Sequence, residues 1–311
     1  MIIEKPQYKQ DKSPLMQFVI FCAITLGLLL AGSALAMAAI YFIYGADSLK
    51  LVMAMKLTSL QSVNALWLLQ ILGTTIPIFL VPIVFGKLVM REPEAYIRAN
   101  FRFPVVLLMI VFSIMITSKP IMDVLVILNQ KMVLPDFLKG LENWMRESEK
   151  MAQKATEALL HMNNWIDMVK SVLLVGLVTA IVEELMFRGC LQTIFVRWTK
   201  NTHVAIWITA ALFSAFHMEF FGFLPRLMLG VFFGYFTAWS GSVWPAIWAH
   251  FLNNGTAVVM YYLYQQKKIN VNPDEQYTLN YTIYILSIII TVALFWSYRN
   301  TALQKNDLQR H

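Results

Sequence analysis

The sequence predicts an all-α fold, a polytopic transmembrane helical bundle of about eight spans, and three observations carry that reading. Of the 311 residues, 58% are hydrophobic and only 14% charged, with a mean hydropathy of +0.59, which lies outside the soluble globular range. The apolar runs are about 20 residues long, the helix length that spans a hydrocarbon core about 30 Å thick. The third observation is negative: the sequence lacks the short alternating segments with Gly and Asn turns that a membrane β-barrel needs.

The first run, Met16 to Tyr44, follows a segment with Lys5, Lys9 and Lys12. It exceeds the apolar core of a signal peptide, about 7 to 15 residues, and no cleavage pattern follows it, so it is expected to stay as an anchor helix. Leu66 to Val89 and Pro104 to Leu128 give the second and third spans. From Leu134 to Met162 the pattern changes: Phe137, Leu141, Trp144, Met145, Met151, Ala155, Leu159 and Met162 recur at three- and four-residue steps with charges between them. That is the period of an amphipathic helix outside the membrane, on its surface or over the bundle, with a substrate-gating lid as the alternative. The remaining runs are Met168 to Phe195, His203 to Met218, Leu227 to Trp239, Trp244 to Leu263 and Tyr281 to Trp296, of which the second and third are short. No repeat or low-complexity segment interrupts the chain, so residues 1–311 form one integral membrane domain.

The formal net charge of +7 requires no nucleic-acid partner, because basic residues at membrane edges meet anionic lipid headgroups. Lys5, Lys9, Lys12, Lys87, Arg91, Arg98, Arg102, Arg197, Lys200, Arg299, Lys305 and Arg310 fall on one side when the N-terminus is inside, so both termini are expected to be cytoplasmic. The short basic loops suit a bacterial cytoplasmic membrane. Cys22 and Cys190 are the only cysteines, which leaves no disulfide framework or thiol metal cluster, and Cys190 reads as small apolar packing.

Ionisable groups inside a membrane are costly and mark functional sites. Glu183, Glu184 and Arg188 lie within the fourth long run, and the four-residue step puts Glu184 beside Arg188 while Glu183 turns to another face. Gly176, Thr179 and Ala180 share the Glu183 face and let a neighbouring helix approach closely. Phe213 and His217 share one face of the next helix, and His250 and Asn254 one face of a later one. A lone intramembrane His or Asn is more often interhelical glue, and the Glu184–Arg188 pair alone would read as a structural bridge. Together they supply what amide hydrolysis requires: Glu183 to take a proton from water, His217 to hold that water, His250 and Asn254 to donate to an oxyanion.

The three motifs, Glu-Glu-x-x-x-Arg at Glu183, Glu184 and Arg188, Phe-x-x-x-His at Phe213 and His217, and His-x-x-x-Asn at His250 and Asn254, resemble those of the CPBP family, also called the Abi family. It joins type II CAAX prenyl proteases with bacteriocin-processing and immunity-associated membrane proteins. The resemblance covers about residues 170–255 and implies an intramembrane endopeptidase. By that resemblance Glu183 and His217 activate water, His250 and Asn254 form the oxyanion hole, and Glu184, Arg188 and Phe213 support them. Its substrate would be a membrane-associated peptide or protein. Members have been described both as zinc metalloproteases and as glutamate-dependent enzymes. The His-Glu-x-x-His pattern is absent, and the metal-free version is preferred; a bound zinc would take Glu183, His217 and His250. The rivals are a transporter or proton relay built on the same buried groups, for which Lys119 and Asp123 also speak, and a non-catalytic immunity or peptide-binding protein. Counted from the span ends, His217 falls near the outer edge and His250 near the inner one.

Overall fold

Helices make up 84% of the computed structural model, and no strand occurs among the described residues, 12–89, 96–273, 275 and 280–308. The helices are α1 (Pro14–Met53), α2 (Leu60–Val89), α3 (Val106–Thr117), α4 (Lys119–Gln130), α5 (Lys139–Leu159), α6 (Trp165–Thr199), α7 (Thr202–Phe216), α8 (Phe223–Ser240), α9 (Trp244–Gln265) and α10 (Tyr281–Leu308). Lys5, Lys9, Arg91 and Arg310, used above for orientation, and the side chain of Lys305 lie outside the described residues.

Every apolar run of the sequence corresponds to one helix or, for the third, to the pair α3 and α4. Five helical segments are long and apolar enough to cross a membrane: α1, α2, α6, Phe220–Ser240 around α8, and α10 up to Gln304. α3 and α4 make a sixth if counted as one span bent by 45°. The bend lies just before Pro120, in the first turn of α4; this proline has no N–H to carry the hydrogen-bond ladder back to Ile116 of α3. Of the about eight spans expected, two differ in kind. α7 has 15 residues, too few for a full crossing, and α9 has 22 but carries His250, Asn253 and Asn254 among its apolar side chains. The residues that signal chemistry in α9 are the ones that lower its hydropathy.

α1 runs past the expected end at Tyr44, and its non-helical joint is Gly45, whose φ of 82° is open to glycine at little cost. Outward-facing apolar side chains such as Phe42 on α1 and Trp296 on α10 are 83% and 67% exposed, as a lipid-facing surface requires. Asn164 caps α6 by accepting from the Ile166 and Asp167 N–H groups, and Asn201 caps α7 by accepting from His203 and Val204. Each satisfies backbone donors that a helix start leaves free.

Two apolar cores hold the bundle. One gathers Phe21, Phe85, Phe187, Cys190, Ile194 and Phe213 from α1, α2, α6 and α7. The other gathers Leu107, Phe233, Phe236, Ala249 and Tyr298 from α3, α8, α9 and α10. α6 and α9 meet along the seam between them. Their contact is tight because Gly176 faces Gly255: a Cβ on Gly176 would lie 3.3 Å from the Gly255 Cα. Gly176 is thus the small-residue contact of the α6 face, made against α9.

α5 lies over the bundle. Its Arg146 guanidinium sits 4.2 Å from the Phe221 ring centroid, and Glu149 Oε2 accepts the Phe221 N–H at 2.9 Å. Trp144 packs on Phe220 with centroids 5.3 Å apart. Glu142 closes the start of the helix, accepting from the Leu134 N–H and from Lys139 and Arg146.

Candidate active site

Glu183 and Glu184 occupy a short α-helical stretch of α6, Thr179–Glu184, between two π-helical stretches, Val172–Val178 and Leu185–Leu191. Wide turns of this kind occur at functional sites because each inserts a residue and re-aims the side chains after it. Glu184 and Arg188 pair as their spacing suggests, Nη1 to Oε1 at 2.8 Å, with both side chains fully buried. Arg188 also donates Nη2 to the Gly230 carbonyl at 3.1 Å and lies 4.4 Å from the Phe213 ring centroid. Gly230 keeps that space open, since a Cβ there would fall 3.0 Å from Ala210 Cβ and 3.3 Å from Arg188 Nη2.

Two elements outside α6 bring polar atoms to Glu183. His217 follows the last residue of α7 and its Nδ1 lies 2.9 Å from the Phe213 carbonyl. A carbonyl only accepts, so Nδ1 carries the proton there, and in the neutral ring Nε2 holds a lone pair. That Nε2 is 3.8 Å from Glu183 Oε2. His250 on α9 places Nδ1 2.9 Å from Glu184 Oε1 and Nε2 3.9 Å from the same Glu183 Oε2. Phe233 stacks on its ring at 5.2 Å and Phe213 meets it edge-on at 5.8 Å. Glu183 Oε2 itself is buried without a hydrogen-bond partner. Asn254, one turn beyond His250, donates Nδ2 to the Val175 carbonyl at 3.3 Å and accepts from Asn253.

Glu183, His217, His250 and Asn254 all face a cavity of about 780 Å³, walled by apolar residues such as Ile71, Val178, Leu174 and Phe233 and closed on one side by Ala152, Ala155, Thr156 and Leu159 of α5. The two histidines, which counting from the span ends put at opposite edges, meet the same carboxylate oxygen. α7 stops at Phe216, so His217 sits on the turn that folds back into α8, and His250 lies in the second turn of α9. Span ends read from hydropathy carry no information on such tilts and turns.

Three features were not read from sequence. Glu184 Oε1 joins Arg188 to His250, a contact between separate helices that spacing along one helix does not show. Arg226 and Glu219 also line the cavity. Starting the sixth run at Leu227 left Arg226 outside it; a lone arginine at the mouth of an apolar run was the available signal. Phe233 supplies the stacking wall and looked like one more apolar residue of its helix. Cys190 lies in the core with Phe187 and Ile194 and does not line the cavity. Lys119 and Asp123 pair with each other at 3.1 Å and do not line it either.

Zinc suits this arrangement poorly as it stands. Tetrahedral bonds of about 2.0–2.1 Å set neighbouring ligand atoms about 3.3 Å apart. Glu183 Oε2 stands 3.8 and 3.9 Å from the two Nε2 atoms, and no cluster of three or more His, Cys, Asp or Glu among the described residues meets the spacing of a metal site.

Residues 165–256, which hold all three motifs and every polar group placed around Glu183, match the family model described as type II CAAX prenyl endopeptidase Rce1-like. Neither the curated proteins nor the solved structures contain a match to the chain. The family match supports a protease of the CPBP type, and with the long apolar helices it identifies an integral membrane protein.

Proposed function

We propose that this protein is an intramembrane endopeptidase in which Glu183 activates a water molecule to hydrolyse a peptide bond of a membrane-associated peptide or protein. The observation that carries the reading is the buried Glu183 Oε2, without a hydrogen-bond partner and with an imidazole nitrogen from each of two other elements at 3.8 and 3.9 Å, facing one cavity. A carboxylate so placed is an acceptor for a water proton, and His217 Nε2, whose lone pair faces inward, orients the same water.

The reaction balances with this chain's own groups. Glu183 takes one proton as the water oxygen bonds to the carbonyl carbon, and the carbonyl oxygen becomes an oxyanion. The carboxylic acid then returns that proton to the departing amide nitrogen, and the C–N bond breaks. Glu184 holds the His250 ring by Nδ1, which fixes the direction of Nε2 in the cavity. Nε2 donates to the oxyanion only when that ring carries both protons. Asn254 Nδ2 must leave the Val175 carbonyl, a contact of 3.3 Å, to add a second donor. In this reading α7 and α9 also enter the membrane, completing the eight helical segments, and both termini face the cytoplasm of a bacterial cell. Metal takes no part.

The test is cleavage of lipid-anchored peptides in proteoliposomes by the parent and by Glu183→Ala, His217→Ala and His250→Ala, each with and without chelator. Cleavage that persists in chelator and is lost in Glu183→Ala supports the reading; equal activity of parent and Glu183→Ala ends it. Loss on chelation with rescue by zinc replaces the metal-free version. The family match does not favour a transporter or proton relay.

A further inference from the structure

The hydrolytic chemistry leaves one charged pair of the cavity unused. Arg226, in the first turn of α8, and Glu219, on the turn after His217, both line the wall that holds Glu183 and His217. Arg226 Nη2 bonds Glu219 Oε2, and Nη1 donates to the Glu219 backbone carbonyl at 3.4 Å. The side chains remain 20% and 31% exposed, so both reach open space. The guanidinium thus opens on the same cavity as Glu183 and His217.

Charged groups facing an apolar, lipid-enclosed cavity are costly and imply a role beyond packing. A guanidinium is a planar fork whose geometry matches a carboxylate, and here a carboxylate already sits on it. Glu219 comes from a short turn, between the end of α7 at Phe216 and the tight turn Phe220–Gly222. Exchange of its carboxylate for another would leave the guanidinium paired and needs the Glu219 side chain to swing away from it.

We propose that Arg226 is a specificity-determining residue that binds a carboxylate of the substrate in place of the Glu219 carboxylate that it holds in the structure. The chemistry is a carboxylate close to the scissile bond, supplied by the end of the peptide chain or by an acidic side chain. The inference rests on the hydrolytic reading above and fixes which peptides enter the same cavity.

The probe is a pool of lipid-anchored peptides of randomised sequence, made with a free C-terminal carboxylate, as the C-terminal amide, and as the amide without Asp or Glu. Products are read by mass spectrometry after incubation with the full chain in proteoliposomes, and binding is read by photo-crosslinking to Glu183→Gln. The parent is expected to prefer carboxylate-bearing peptides by about ten-fold or more in kcat/KM, carried by KM. Arg226→Gln is expected to bring that ratio near one, and Arg226→Lys to keep part of it. Preference for the free acid over its amide assigns the carboxylate to the chain end; preference that vanishes only without Asp and Glu assigns it to a side chain.

An equal ratio in parent and Arg226→Gln overturns the proposal. Cross-linking decides independently of turnover: Arg226-dependent capture of carboxylate peptides without cleavage upholds the site and defeats the hydrolytic reading. Capture that ignores Arg226, or no capture, overturns the site even where cleavage proceeds. Should Arg226→Gln fail to fold, Glu219→Gln decides, since freeing the guanidinium is expected to lower KM for carboxylate peptides and an unchanged KM contradicts the exchange.

Discussion

His250 Nδ1 and Arg188 Nη1 both rest on Glu184 Oε1, at 2.9 and 2.8 Å, so one buried carboxylate oxygen ties the His250 imidazole to a buried guanidinium. Glu184→Gln removes the charge while keeping the shape. It leaves Arg188 uncompensated in the interior, and loss of one partner of a buried pair costs about 3–5 kcal/mol. Thermal unfolding in detergent should show that loss, and Arg188→Met added to Glu184→Met should recover most of it. Cleavage by any folded Glu184→Gln protein should fall about 100-fold or more, because the carboxylate that supports the doubly protonated His250 ring and fixes its direction is gone.

Glu183→Gln is expected to behave in the opposite way. The Oε2 atom it replaces has no hydrogen-bond partner, so the substitution breaks no hydrogen bond of that atom in the resting fold. Stability should stay within about 1 kcal/mol of the parent or rise, while activity falls by about 100-fold to 10,000-fold, the share a positioned general base contributes. Unfolding midpoint and cleavage rate, measured on the same preparation, separate the two glutamates.

Gly176→Ala tests whether the α6–α9 seam sets the site. Its Cβ would press on the Gly255 Cα at 3.3 Å, backbone against backbone, and overpacking of this kind costs about 1–3 kcal/mol. Because α9 carries His250 and Asn254, cleavage should fall further than the stability loss explains. Ala at the exposed Gly140, whose Cβ would meet nothing within 4 Å, serves as the control and should change neither.

The helical class and the four-residue pairs within one helix were legible in the sequence, because helix period and side-chain chemistry fix both. Glu184 beside Arg188 is of that kind. Contacts between helices were not: His250 on Glu184 depends on how α9 crosses α6, and that follows from the Gly176–Gly255 contact and the turns that flank α7 and α9. The wide turns of α6 were equally hidden, since their residues, Val172–Val178 and Leu185–Leu191, look like any apolar helix. Arg226 escaped notice because hydropathy assigns a charged residue to a loop, whereas here it enters the cavity from the first turn of a helix.

The start of α5 is expected to loosen in acid. Arg146, hydrogen-bonded to it, holds the Glu142 carboxyl below its ordinary value of 4.5 against the upward push of burial, with help from the Leu134 N–H and Lys139. A carboxyl held low in the folded chain stabilises it fully above the unfolded value and ceases to as pH falls through the folded one. Hydrogen-exchange protection of Lys139–Leu159, taken relative to intrinsic exchange at each pH, should therefore hold from neutral pH down to that ordinary value and fall below it. Burial pushes Glu149 up, which gives the opposite sign, so the comparison of parent with Glu142→Gln isolates the Glu142 share. Identical acid profiles in the two would contradict the assignment.

The most direct measurement of the central claim is cleavage of a lipid-anchored peptide in water enriched in oxygen-18, by parent and by Glu183→Gln. The parent is expected to place one solvent oxygen in each newly formed carboxyl group, with no such product from a folded Glu183→Gln protein. Equal labelled cleavage by both proteins would contradict the account.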